Sequence, residues 1–138
     1  MKENSNKIKF KIITHEKVVL ERDIDELYVQ STDGRLGILP NHIPIVCALD
    51  IGVTKIVENK VPTCITTMAG VLQFSENEAT ILTDIAELGD DIDIARANAA
   101  KERALARINA RNEKDDILRA QFALAKAIAR ISAKEKHI

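Results

Sequence analysis

Tryptophan is absent from this chain, and Phe10, Tyr28, Phe74 and Phe122 are its only aromatics. So sparse a set excludes the stacked-base platform of a single-strand nucleic-acid binder. The two cysteines, Cys47 and Cys64, lie in apolar runs without the spacing of a zinc site. They read as buried reduced thiols, with a disulfide between neighbouring strands as the alternative. No apolar run approaches the roughly 18 residues of a membrane span, so no transmembrane segment is expected. The polar start, Met1 to Asn6, lacks the apolar centre of a signal peptide, and a cytoplasmic chain is the expectation. Excess charge of one sign is missing too: the formal net charge is −1, which steers neither to nucleic acid nor to membrane. Proline and glycine are confined to the first part, and neither occurs after Gly89.

The first part reads as strands. Ile8, Phe10 and Ile12 alternate with Lys7, Lys9 and Lys11, the period of a strand with one wet face. Val18 with Leu20, then Leu27 with Val29, continue that pattern, and Asp33-Gly34 is a turn signal. Leu36 to Pro44 holds two prolines and reads as a rigid, shaped loop. Further strands are expected at 45–49, 53–57, 64–67, 71–74 and 80–83. Turn-type residues separate them at Asp50 to Gly52, Glu58 to Lys60, Ala69-Gly70 and Glu76 to Glu78. Eight or more short antiparallel strands at this spacing predict a sandwich or flattened barrel. His15 and His42 have no metal-ligand spacing, and Ser31 and Ser75 have no nucleophile elbow. No catalytic site is expected in this part.

The seam is Leu88 to Ala97. Gly89 turns the chain, Asp90 or Asp91 is expected to cap a helix, and Asp93 to lie in its first turn near Arg96. From Ile92 to Arg111 the residues are good helix formers with a narrow stripe of Ala97, Ala100, Ala104 and Ile108. A break is expected at Asn109 to Asn112. Asn112 then caps a second helix, and Glu113, Asp115 and Asp116 favour its start. Its stripe is Ile117, Ala120, Leu124, Ala127 or Ile128, and Ile131. Two such helices predict an antiparallel hairpin. Alanine stripes bury little area, so the hairpin is weakly held and an extended arrangement lies within reach. The charge divides at the seam: residues 1–88 hold 9 Lys+Arg and 13 Asp+Glu, whereas 89–138 hold 11 and 8. Arg96, Arg103 and Arg107, and then Arg119, Lys126 and Arg130, repeat one spacing that keeps each set on one helix face. Converging cations suit a polyphosphate or an acidic protein surface.

The run Gly34-Arg-Leu-Gly-Ile-Leu-Pro-Asn-His-Ile-Pro44 resembles the G-x-x-G-x-L-P-x-H-x-P signature of the epsilon subunits of bacterial F-type ATP synthases. Chain length and element order agree with that family. The resemblance implies an α+β fold: a ten-stranded antiparallel sandwich over residues 1–88 that binds the rotor, then a regulatory helix–turn–helix over 89–138. It implies a non-catalytic central-stalk subunit that couples ATP synthesis to proton transport, against the gamma subunit and the c-ring. It places the chain peripherally on the cytoplasmic face of the cell membrane. It further implies that the helices inhibit ATP hydrolysis when they extend into the alpha/beta catalytic head.

Ile92-Asp-Ile-Ala-Arg-Ala97 resembles the family's I/L-D-x-x-R-A motif for regulatory ATP. By that resemblance Glu87, Ile92 and Asp93 serve the adenine side, and Ala97 closes the motif. Arg96 and Arg103 serve the phosphates, with Arg119, Lys126 and Arg130 added from the second helix. Lys126 stands where strong binders carry arginine; it keeps the charge and loses the planar fork. ATP, with or without magnesium, would be a regulatory ligand and not a required cofactor. No phosphate-binding glycine loop occurs, so hydrolysis by this chain alone is not expected. A reading of another class is a stand-alone nucleotide-sensing adaptor, which would lack a stable complex with gamma.

Overall fold

The computed structural model describes residues 7–110 and 114–136; for Lys114 and Asp115 only the backbone is described. The expected cap Asn112 and the acidic Glu113 lie outside the described residues. The order is β1 (Ile8–Ile13), β2 (Val18–Ile24), β3 (Glu26–Ser31), β4 (Gly34–Ile38), β5 (Ile45–Glu58), β6 (Val61–Ser75), β7 (Glu78–Leu82), β8 (Ala86–Leu88), α1 (Ile94–Ala110) and α2 (Lys114–Glu135).

The strands join in the order β2-β1-β7-β6-β5-β3-β4, with β8 on β6. All neighbours are antiparallel except β1 and β7. The long pair β5–β6 runs through both layers of the sandwich. Its one end, at Ile45↔Phe74, lies beside β7, and its other end, at Ile65, lies between β5 and β8. Eight strands among the described residues therefore stand where ten were expected, because β5 and β6 each do the work of two. The expected turns at Asp50–Gly52 and Ala69-Gly70 are bends within continuous strands, and one register holds from Ile45↔Phe74 to Glu58↔Val61. At Glu58 to Lys60 a turn is present, with Asn59 and Lys60 at positive φ.

Between the layers lies a core to which seven strands contribute, among them Phe10, Ile24, Leu27, Ile38, Ile56, Ile65, Leu72 and Ile81. The alternation of β1 holds as expected. That of β2 does not: Val18 is exposed, while Val19 and Leu20 pack on the core. The register slips there, from Ile12↔Leu20 to Ile13↔Val18, so Val19 is an extra residue and the side-chain phase changes. Inside this core Thr54 and Thr67 bond hydroxyl to hydroxyl at 3.1 Å, so their burial leaves neither unsatisfied.

The outer face of the β5–β6 end is covered by α2. Val53 and Cys64 from the sheet meet Ile92, Ala97 and Ala133, and Thr66 donates to the Ala129 carbonyl at 3.4 Å. The helices pair through the expected small residues: Ala97, Ala104, Ala120 and Ala127 are buried. Both thiols are free, and burial pushes each above its ordinary pKa. No helix among the described residues is long and apolar enough to cross a membrane.

Ala69 sits at the bend of β6 with φ 69°, where a Cβ is strained, and its side chain is exposed. Ala69→Gly is expected to raise stability by about 0.5–1 kcal/mol, the relief outweighing the added freedom of the unfolded chain. Urea denaturation measures it, and a lowered midpoint would show that the bend carries no strain.

Candidate functional site

Three short pieces of backbone set the site. Strand β8 fixes Glu87 at the sheet edge through its pairing with Thr66. A 3-10 turn at Gly89–Asp91 follows, closed by Ile92 N–H to the Gly89 carbonyl at 3.2 Å. Ile92 then stays extended and buries its side chain beside Val53 and Cys64. Only after it does the helix begin. Asp93 is the cap: its Oδ1 accepts from Arg96 N–H at 3.1 Å, and its carbonyl accepts from Ala97 N–H. The expected cap at Asp90 or Asp91, with Asp93 in the first turn, is thus corrected. The burial of Ile92 keeps the chain extended past those two aspartates and delays the helix.

Between this seam, α1 and the end of α2 lies a cleft of about 680 Å³. Seven of the nine residues singled out in the sequence line it: Glu87, Ile92, Asp93, Arg96, Ala97, Arg103 and Arg130. Arg119 and Lys126 do not. Val19, Ala86, Leu88 and Ala100 supply apolar wall. Arg96 and Arg103 are exposed and two turns apart on one face of α1. Arg130 is held by Glu87 in a two-pronged pair, Nε to Oε1 at 2.7 Å and Nη2 to Oε2 at 3.3 Å. Lys17, in the turn before β2, adds a cation that sequence reasoning missed. No spacing could have revealed it, since it comes from the far end of the chain.

Among the described residues the cleft therefore offers an apolar wall, four cations and three carboxylates, with no hydroxyl, thiol or imidazole in its lining. That set can hold a ligand with a flat apolar part and a string of negative charge. At the opposite end of the sandwich, His42 is used structurally: its Nδ1 lies 2.7 Å from the Ile43 carbonyl, and its ring meets Phe74 edge-on. The loop around it and the start of β5 expose Leu39, Ile43 and Val46.

Comparison with known proteins gives consistent results. Residues 7–89 match the family model for the ATP synthase delta/epsilon chain, beta-sandwich domain, and residues 90–135 match that for its long alpha-helix domain. The ATP synthase epsilon chain of Levilactobacillus brevis is 38% identical over 113 residues, 82% of this chain and 81% of that one. Its counterpart from Pediococcus pentosaceus is 43% identical over 98 residues, 70% of each chain. Among solved structures, a chain of the Euglena gracilis mitochondrial ATP synthase superposes with a TM-score of 0.84 at 17% identity, covering 93% of this chain and 81% of that chain. A chain of the Tetrahymena thermophila mitochondrial ATP synthase, from its central stalk and c-ring, gives 0.55 at 16% identity, covering 94% of each. At these identities the structures speak for the fold alone.

Proposed function

This chain belongs to the ATP synthase delta/epsilon family, among the epsilon chains, and on that premise we propose that it is a non-catalytic central-stalk subunit whose hairpin regulates ATP hydrolysis and senses ATP. The sandwich holds the rotor partners, gamma and the c-ring, on the cytoplasmic face of the membrane. Its exposed Leu39, Ile43 and Val46 suit protein contact. The hairpin brakes hydrolysis when its helices extend to the alpha/beta head, and the subunit supports ATP synthesis coupled to proton transport.

The observation that carries the ATP reading is the convergence of seven residues, six from the stretch Glu87 to Arg103 and Arg130 from the end of α2, on one cleft. Ile92 and the neighbouring aliphatic wall suit a base, and Glu87 or Asp93 can accept from an exocyclic amine. Arg96, Arg103 and Lys17 suit the phosphates. The cleft needs both helices, so ATP favours the closed hairpin by as much as its affinity for the two states differs. ATP would release the brake when it is plentiful.

Calorimetry of the isolated chain with ATP is the test. Weak to moderate one-site binding is expected. Arg103→Ala should weaken it about tenfold or more, since a charge-assisted bond is lost. Arg119→Ala, off the cleft, should change it less than about twofold. No heat at millimolar ATP, or equal losses in the two variants, would sink the reading.

A further inference from the structure

The end of α2 meets one short strip of chain, Glu87 to Asp90, at three successive points. Arg130 forms the two-pronged pair with Glu87. Lys134 Nζ donates to the Asp90 carbonyl at 3.0 Å. Between them the backbone of Ala133 lies on Gly89 so closely that a Cβ built there would fall 2.4 Å from the Ala133 oxygen. Gly89 has no positive φ to accommodate, so its bare backbone is required by the approach of α2 and not by its own turn. All three contacts join α2 to the strip, so lifting α2 away would break them together.

We propose that Glu87 to Asp90 is a latch that holds the closed hairpin without any ligand, with Gly89 as its seat and Glu87–Arg130 as its clasp. The inference rests on the hairpin reading above only in that α2 has an open state. It adds that closure is built into the chain, and that ATP tunes an equilibrium which the latch has already set. It also makes Arg130 a shared group: a phosphate drawing on its guanidinium must take it from Glu87.

The latch has a native reporter. Cys64 is only 3% exposed, and its covering atoms include Ala133 of α2. Its thiol can react only after α2 lifts, whereas Cys47 of β5 packs against the main core and reports on the sandwich. Burial keeps the Cys64 thiol protonated, so its reaction in the closed state is slow.

The experiment labels the full chain with a maleimide, without nucleotide, and follows each cysteine by peptide mass. Glu87→Gln should speed Cys64 labelling about two- to fivefold, as loss of a partly exposed pair allows. Gly89→Ala should speed it more than tenfold, because its methyl and the closed position of α2 are incompatible. Exchanging the charges, Glu87→Arg with Arg130→Glu, should restore most of the protection lost in Glu87→Gln. Unchanged labelling in both single variants overturns the latch. An equal rise at Cys47 and Cys64 overturns it too, since the strip would then serve the sandwich itself. Neither readout involves ATP, so the latch and the ATP site stand or fall separately.

Discussion

A fragment ending at Leu88 is expected to remain a folded sandwich and to lose all inhibition of ATP hydrolysis in the reconstituted complex. Among the described residues every buried member of the main core lies between Ile8 and Ile81, and β8, whose Ala86 and Leu88 pack against it, ends at Leu88. The ladder from β2 to β4 therefore stays complete when the helices are removed. What is lost is the cover over Val53, Cys64 and Thr66. Re-exposing that small face costs roughly 2–4 kcal/mol, within what a domain of this size tolerates. Circular dichroism and urea unfolding should show a cooperative strand-rich fragment whose Cys64 labels at once. In the function proposed above the brake is the extended hairpin, so the fragment should hold the rotor partners without slowing hydrolysis. An unfolded fragment, or one that inhibits as the full chain does, would refute this division of labour.

Much of this organisation is legible in the sequence, and the failures have identifiable causes. The alternation around Phe10 marks β1 because one face is buried and one is wet. The alanine stripes mark the helix pair because only small residues allow that approach. The sequence pattern divides β5 and β6 too finely, since a bend inside a strand draws on the same residues as a turn. Ala69 and Gly70 bend β6 as it passes from one layer to the other, and the ladder continues through them. Strand β4 read as loop for a related reason. Its Gly37 is there because the ring of Tyr28 leaves only 3.0 Å for a Cβ, a packing demand that looks like a turn signal.

The site divides in the same way. Ile92, Asp93, Arg96, Ala97 and Arg103 sit on one continuous piece of chain, and helical geometry places most of them together once the start of α1 is known. The pairing of Glu87 with Arg130 spans 43 positions and depends on how α2 lies on the sheet, which no local period encodes. The same holds for Lys17. Arg119 and Lys126 share a helix face with Arg130, yet only Arg130 reaches the cleft, because only the end of α2 lies beside the seam.

Gly70→Ala is expected to destabilise the sandwich by about 3–5 kcal/mol, the range for a change that creates both backbone strain and overlap. Gly70 has φ 131°, in the region that side chains avoid. A Cβ there would lie 2.2 Å from the Leu82 carbonyl oxygen and 3.0 Å from Thr83 Cβ. Neither neighbour can retreat cheaply. Leu82 is held on both sides, against Val71 of β6 and Ile13 of β1, and the Thr83 hydroxyl donates to the Ala69 carbonyl at 2.6 Å. Relief would therefore have to break the β6–β7 ladder at the point where β6 changes layer, and with it the joint between β1 and the rest of the sheet. Denaturant unfolding should show the midpoint falling steeply with little change in slope, since the surface exposed on unfolding is the same. The neighbouring Ala69→Gly should move the midpoint the other way. A fall of less than about 1 kcal/mol in Gly70→Ala would mean that the bend yields, and that the strand crossing is held by the flanking core alone.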